Sequence, residues 1–418
     1  MQKFLIQGNI PLKGKVKLSG AKNATLPIMA ASLLIRGKCY LDNVPKLTDI
    51  EMMGEVLREL GTNLIRQDNR LTIDTSFIQK EEISCELAKK LRASVLVLGP
   101  LLARNKRAKV PLPGGCNIGS RPVNLHLKGL RSMGANIEVK KGYIEATVNS
   151  GLTGSSIYLD FPSVGATENI MLAASIARGT TVIKNASRSP EIVDLSNFLK
   201  KGGVKIKGAG TDTIIITGNK EIVPITHSII PDRIEAGTFM IAAAITGGEI
   251  LITNAKPEHL GVLISKLKQI GVEVKLDKDK IMVKGSFPLK SFNVTTLPDP
   301  GFPTDLQPQI TSLACLADGE SVISETIFEN RFTHIPELEK MGAKITRRGK
   351  TAIVKGVPFL HGSCVVAYDI RGGASLVLAG LAARGTTEIL NIHHIDRGYQ
   401  KIEEKLILLG AKIKRVED

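Results

Sequence analysis

The sequence predicts an α/β protein built from six copies of one supersecondary unit of about seventy residues. Three observations carry this. A helix ending in glycine and followed by a short β-branched run recurs as ELGTNLI, SMGANIEV, KGGVKIK, QIGVEVK, KMGAKIT and LLGAKIK; its glycines, Gly61, Gly134, Gly203, Gly271, Gly342 and Gly410, are 73, 69, 68, 71 and 68 residues apart. An Ala-rich helix precedes it, closed by glycine in most copies (LLIRG, ASIARG, AAITGG, ACLADG, LAARG). Hairpins with period-2 alternation follow, as in VEVKLDKDKIMVKG, which argues against a purely helical solenoid.

In chain order, each copy reads as a loop, a small-residue helix, a strand, a turn, a second helix with glycine just past its end, and a two-strand hairpin. Copies three, four and five finish with IIITG, IMVKG and AIVKG, whereas the last stops at AKIKRVED. The missing strand is available at the other end, because Lys3 to Gly8 followed by NIPLKGKVKLSG resembles IMVKG followed by SFPLKSFNVTTL. The N-terminal strand is therefore expected to complete the sixth copy. Two three-repeat domains follow: 22–230, carrying a Cys loop at 112–122, and a discontinuous one of 1–21 with 231–418. Connections near Ser19–Gly20 and Ile230–Pro231 would place a cleft between them. The alternative is one open solenoid with an extra strand, and limited proteolysis separating 1–230 from 231–418 would favour it.

A chain of 418 residues exceeds what one core usually supports. With 43% hydrophobic and 23% charged residues it is neither disordered nor fibrous. The five cysteines are scattered without a CxxC, there is no signal-peptide pattern, and no apolar stretch would span a bilayer. A reducing cytoplasm is the expected location. The net charge of +16 favours an anionic partner, without choosing among RNA, a membrane surface and a phosphorylated metabolite.

Charged residues collect where strands lead into helices, and helix starts favour anions. The first such junctions hold Lys22 and Asn23, Arg92, Ser163 to Asn169, Asp232 with Arg233 and Glu235, Asp305, and Asp369 with Arg371. The second hold Cys116 and Arg121, Arg188, Glu329 and Arg331, and Asp396 with Arg397. Lysine or arginine at a helix start opposes the dipole. Lys22, Arg92, Arg121, Arg371 and Arg397 are therefore better explained by a bound polyanion than as surface charge. The second copy is longer between Pro113 and Gly134, in the glycine-rich stretch PLPGGCNIGSRPV. There backbone N–H groups and a nearby guanidinium would favour a Cys116 thiolate, so this thiol is a candidate reactive group. Cys39, Cys315 and Cys364 sit in apolar runs and read as core residues; Cys85 is undecided. No HExxH, P-loop, GxGxxG after a strand or GxSxG is present. His393–His394 beside Asp396 makes a poor metal site, and the basic residues are not interleaved with aromatics as nucleic-acid binding would favour.

SGAKNATLPIMAASLL, PLPGGCNIGSRPVNLHLKGL, FPSVGATENIML, FPTDLQPQ, ETIFENRF, YDIRGGASLVLAG and HIDRGYQKIEEKL together resemble the UDP-N-acetylglucosamine 1-carboxyvinyltransferases, a family of enolpyruvyl transferases. The resemblance runs from Lys3 to the C-terminus. It implies two inside-out α/β barrel domains, each of three βαβαββ-type repeats with helices inside and sheets outside. It implies the first committed step of peptidoglycan synthesis, in which the enolpyruvyl group of phosphoenolpyruvate passes to the 3′-hydroxyl of UDP-N-acetylglucosamine, phosphate leaving by addition and elimination. No metal or organic cofactor, nucleic-acid partner or membrane insertion is expected; oligomeric state is not encoded in any recognisable signal.

By resemblance Cys116 is the proton donor, able also to add covalently to phosphoenolpyruvate, and Asp305 accepts the proton of the sugar hydroxyl. Lys22, Asn23, Arg121, Arg397, Arg371 and Arg92 correspond to the phosphoenolpyruvate contacts. Asn23, Arg92, Arg121, Pro122, Val123, Asn124, Leu125, Ser163, Val164, Gly165, Asp305 and Ile327 correspond to the nucleotide-sugar contacts, with Glu329, Arg331 and Asp369 supporting. Two departures stand out: Phe161 where some members carry a lysine toward the diphosphate, and Asn124 in place of an aspartate. The alternatives are an enzyme like 5-enolpyruvylshikimate-3-phosphate synthase, one like RNA 3′-terminal phosphate cyclase, and a silent binding paralogue.

Overall fold

The computed structural model describes residues 2–114, 118–119 and 122–417. Cys116 and Arg121 lie outside the described residues. The chain divides into two compact units: unit A is Gly20–Cys116 with Arg121–Ile230, and unit B is Met1–Ser19, Asn117–Ser120 and Pro231–Asp418. Each has its own hydrophobic core.

Five of the six repeats form a four-stranded sheet in which one outer strand is parallel to its neighbour and the other pairs are antiparallel. In unit A these are Ile225–Ser228, Lys38–Asp42, Arg70–Asp74, Asn63–Gln67, and Ser156–Tyr158, Thr180–Lys184, Thr213–Thr217, Lys205–Lys207. Between them lies a three-stranded sheet, Arg107–Pro111, Tyr143–Thr147, Asn136–Lys140, with a single parallel bridge from Glu82 to Lys109 at its open edge. Unit B holds Lys13–Lys17, Glu249–Thr253, Lys280–Lys284, Glu273–Asp277; then Asn293–Thr295, Glu320–Ser324, Thr351–Lys355, Lys344–Arg348; then Cys364–Val366, Thr386–Leu390, Gln2–Gln7, Lys412–Glu417. The first strand of the chain thus lies antiparallel between Thr386–Leu390 and Lys412–Glu417, the place a hairpin strand fills in the other copies. Among the described residues no closed barrel forms.

Alternation within the strands puts one face on the core, as in Phe4 and Ile6 of the first strand. The first helix of each repeat lies beneath. In Arg233–Thr246 every residue from Ile234 to Ile245 is buried, and in Ile370–Ala382 every residue from Arg371 to Leu381. A helix apolar all round needs cover on every side, and here it is packed by its sheet and by the inner helices of the other repeats. Small residues permit the approach: a Cβ at Gly237 would lie 2.5 Å from Leu306. The repeat is also visible in Asn43, Asn185, Asn254 and Asn391, all left-handed with φ of 55–57°; the first three donate through Nδ2 to Ile229, Leu159 and Leu18 carbonyls.

Two expectations need correction. Cys364 is exposed, because in its strand Val365 takes the inward position and Cys364 the outward one. Arg397 does not begin a helix: it caps the C-terminus of the four-residue helix His393–Asp396, ahead of Ile402–Leu408. Among the described residues no helix is long and apolar enough to cross a membrane.

Candidate active site

Several of the polar residues singled out in the sequence lie at the N-terminal ends of inner helices within their own unit: Lys22 and Ser163 in unit A, Asp369 and Arg371 in unit B. In unit A, Lys22 opens the helix Lys22–Ser32 and is 7% exposed. Its Nζ donates to Asp49 Oδ2 at 3.1 Å. A cation at a helix start is unfavourable, and the buried carboxylate, from the first turn of Thr48–Glu59, offsets it. Arg92 heads the 3-10 turn Arg92–Val97 and Asn23 follows Lys22; both are half-buried. Ser163 caps Val164–Ala174, its Oγ accepting from Ala166 N at 3.3 Å, so Val164 and Gly165 occupy the first turn. Pro122 and Val123 lead into Asn124–Ser132, with Asn124 and Leu125 its first residues. Phe161 is 43% exposed, next to Asp160, which pairs with Lys128 at 2.8 Å.

His126 escaped the sequence reading. It is buried, and Asn169 Nδ2 lies 3.1 Å from its Nδ1. That amide also donates to Val95 O, while Asn169 Oδ1 accepts from Gly99 N. Nδ1 is thereby the acceptor and the ring proton belongs on Nε2. A Cβ at Gly165 would lie 3.2 Å from His126 Cε1, so the ring supports the first turn of Val164–Ala174. Burial, helped by Arg92, pushes its pKa down to about 3, and the ring is neutral at ordinary pH.

In unit B, Asp305 lies in the 3-10 turn Thr304–Leu306 ahead of Gln307–Ala314. Arg331 Nη2 donates to its Oδ1 at 2.6 Å and Arg371 Nη2 to its Oδ2 at 3.2 Å. Both guanidinium side chains are 3% exposed, whereas that of Asp305 is 25% exposed. A partly open carboxylate is thus set by two buried cations. Burial alone would lower the Arg371 pKa; Tyr399, Asp305 and Asp232 outweigh it and raise it. Asp369 caps Ile370–Ala382, its Oδ1 accepting from Arg371 N and Gly372 N at 2.9 Å each and its Oδ2 from Thr333 Oγ1 at 2.8 Å. Burial would raise its pKa, but those hydrogen bonds, Arg331 and His334 hold it below the ordinary value.

Ile327 is held by a carboxylate not singled out in the sequence. Glu325, fully buried, accepts from Thr296 Oγ1, Thr304 Oγ1, Ile327 N and Phe328 N at 2.8–3.1 Å. It ties the Ile327 turn to the one carrying Asp305. Also within unit B, Asn330 N donates to Ile118 O at 3.1 Å, and Gly119, at φ +139°, leaves a Cβ only 2.7 Å from the Glu329 carboxyl. Asp396 is engaged by Arg415 at 2.7 and 2.9 Å, and among the described residues no group of acidic, histidine or cysteine side chains could hold a metal ion.

The fold is that of the enolpyruvyl transferases. Residues 6–406 match the family described as EPSP synthase (3-phosphoshikimate 1-carboxyvinyltransferase). The enolpyruvyl transferase NikO of Streptomyces tendae superimposes with a TM-score of 0.90 at 26% identity, covering 99% of each chain. EPSP synthase of Acinetobacter baumannii matches in fold, with a TM-score of 0.79 at 21% identity over all of both chains. Relatives in sequence are closer. UDP-N-acetylglucosamine 1-carboxyvinyltransferase 1 of Carboxydothermus hydrogenoformans is 53% identical over 416 residues, 100% of this chain and 99% of its own; UDP-N-acetylglucosamine 1-carboxyvinyltransferase of Geotalea uraniireducens is 53% identical over 419 residues, 100% of both. The chain belongs to the UDP-N-acetylglucosamine 1-carboxyvinyltransferase family and is an enolpyruvyl transferase.

Proposed function

We propose that this enzyme transfers the enolpyruvyl group of phosphoenolpyruvate to the 3′-hydroxyl of UDP-N-acetylglucosamine in the cytoplasm, as the first committed step of peptidoglycan synthesis. In the addition step C3 of phosphoenolpyruvate gains a proton, a bond forms from the sugar oxygen to C2, and that oxygen loses its proton. In the elimination step C3 gives up a proton and the C2–O bond to phosphate breaks. One acid and one base are needed. Cys116 is assigned as the acid and Asp305 as the base.

Lys22, Asn23, Arg92, Arg121, Arg371 and Arg397 are assigned to phosphoenolpyruvate, whose phosphate and carboxylate suit several cations. Asn23, Arg92, Arg121 to Leu125, Ser163 to Gly165, Asp305 and Ile327 are assigned to the nucleotide sugar; Glu329, Arg331 and Asp369 orient the groups around Asp305. The observation that supports this reading best is Asp305 itself. A carboxylate pinned through both oxygens by two buried guanidiniums while remaining partly open is oriented in advance for a hydroxyl.

The test is phosphate release from phosphoenolpyruvate with either UDP-N-acetylglucosamine or shikimate 3-phosphate. Release only with the nucleotide sugar is expected. No release with it would end this reading, and release with shikimate 3-phosphate would favour the alternative acceptor.

A further inference from the structure

The turn after His393–Asp396 brings Gly398 and Tyr399 against Arg371. Tyr399 is 1% exposed. Gln309 Nε2 donates to its hydroxyl at 2.9 Å, and Thr238 Oγ1 lies 2.9 Å from it. The Thr238 hydroxyl spends its hydrogen on Ile234 O at 2.8 Å, so its oxygen is an acceptor and the phenol donates to it. The hydroxyl of Tyr399 therefore joins one inner helix through Thr238 to another through Gln309, while its ring lies 5.2 Å from the guanidinium carbon of Arg371 on the third. The backbone closes the arrangement: a Cβ at Gly398 would lie 2.4 Å from Ile370 Cγ2 and 3.4 Å from Arg371 Nη1. That Nη1 is buried. The direction of Arg371 thus depends on the Tyr399 ring, on Gly398 and on the contact to Asp305.

We infer that Tyr399 is a positioning residue for the phosphoenolpyruvate clamp: it fixes the turn that carries Arg397 and presses that turn against Arg371, so the two cations keep one relative arrangement. This rests on the assignment of Arg371 and Arg397 to phosphoenolpyruvate. A clamp spaced for a phosphate and a carboxylate loses affinity when either cation can swing, whereas a purely structural tyrosine would not distinguish one substrate from the other.

The experiment compares wild type, Tyr399→Phe and Thr238→Val in steady-state kinetics with each substrate varied, alongside thermal melting. Tyr399→Phe keeps the ring and removes the hydroxyl; Thr238→Val removes the acceptor of the phenol proton and leaves Tyr399 in place. Both should raise KM for phosphoenolpyruvate, Tyr399→Phe by roughly tenfold, the worth of about one buried hydrogen bond, with KM for UDP-N-acetylglucosamine within about twofold of wild type. Should Tyr399→Phe not fold, Thr238→Val carries the test alone. A phosphoenolpyruvate KM unchanged in the folded variants, or both KM values rising together with a lowered melting temperature, would overturn the inference while wild type still turns over. A wild type that releases no phosphate would remove the functional reading beneath it.

Discussion

Replacing Asp369 by alanine removes a charged cap that accepts three hydrogen bonds, from Arg371 N and Gly372 N at 2.9 Å and from Thr333 Oγ1 at 2.8 Å. Loss of a helix N-cap costs about 0.5–2 kcal/mol, and loss of a hydrogen bond to a buried charge about 1.5–3 kcal/mol. The contributions overlap, so a total of about 3 kcal/mol is expected for unit B. At roughly 2–4 °C per kcal/mol for a unit of this size, melting should fall by roughly 6–12 °C. Asp369→Asn keeps an acceptor on the capping atom and should lose less than half of that. The pH dependence has a definite sign. The folded pKa of Asp369 is below the ordinary 3.8, so its charge stabilises the fold above that value, and the advantage of wild type over Asp369→Asn should disappear as pH falls through the folded pKa. Urea titrations of all three proteins at pH 7 and at a series of pH values below 3.8 measure this. An alanine variant within about 0.5 kcal/mol of wild type at pH 7 would refute the cap argument.

Asp305→Ala should reduce turnover by roughly 10²–10⁴ with a much smaller change in nucleotide-sugar binding, read from kcat and from equilibrium titration; unchanged turnover would show that another group takes the proton. Cys116→Ala should abolish both turnover and alkylation by an epoxide phosphonate, followed by intact mass, whereas Cys116→Asp should retain activity because a carboxylic acid can still deliver a proton; full activity in the alanine variant would remove Cys116 from the acid role. His126, with an ordinary value of 6.5 and a folded value of about 3, makes the native state reluctant to take a proton that the unfolded chain accepts, so stability should decline as pH drops from 6.5 toward 3. His126→Gln should flatten that decline in denaturant titrations at pH 7 and 5; an unaltered slope would assign it to other groups.

The repeat was legible because six glycines beyond helix ends occupy a backbone region that favours glycine, so they recur at fixed intervals: Gly61, Gly134, Gly203, Gly271, Gly342 and Gly410 all have φ of 89–105°. The position of the first strand was legible for the same reason, since its sequence matches strands in other copies. Lys22, Arg92 and Arg371 stood out as cations at junctions where caps and turn formers are the ordinary occupants, whereas Asp305 and Asp369 lie at the same junctions as ordinary acids and took their roles from the family resemblance. Asp49, Glu325, His126 and Tyr399 did not. Each sits in a local sequence that ordinary helix or loop chemistry explains, and only tertiary contact reveals it as buried. Asp49 could be an ordinary first-turn acid, and Tyr399 an ordinary aromatic before an amphipathic helix. Cys364 misled because an apolar run in a short strand has two faces, and a shift of one residue decides which side is buried. Arg397 misled because the short helix His393–Asp396 ends just before it.

Enolpyruvyl transfer by addition and elimination at the 3′-hydroxyl of UDP-N-acetylglucosamine is tested most directly by running the reaction with phosphoenolpyruvate in deuterium oxide and examining the product by mass and proton NMR. Protonation at C3 makes a transient methyl group that mixes solvent and substrate hydrogens, so the expected product is a nucleotide sugar carrying one enolpyruvyl ether on the 3′-oxygen, with deuterium in its vinyl group. A product without vinyl deuterium, or one modified at another oxygen, would contradict it.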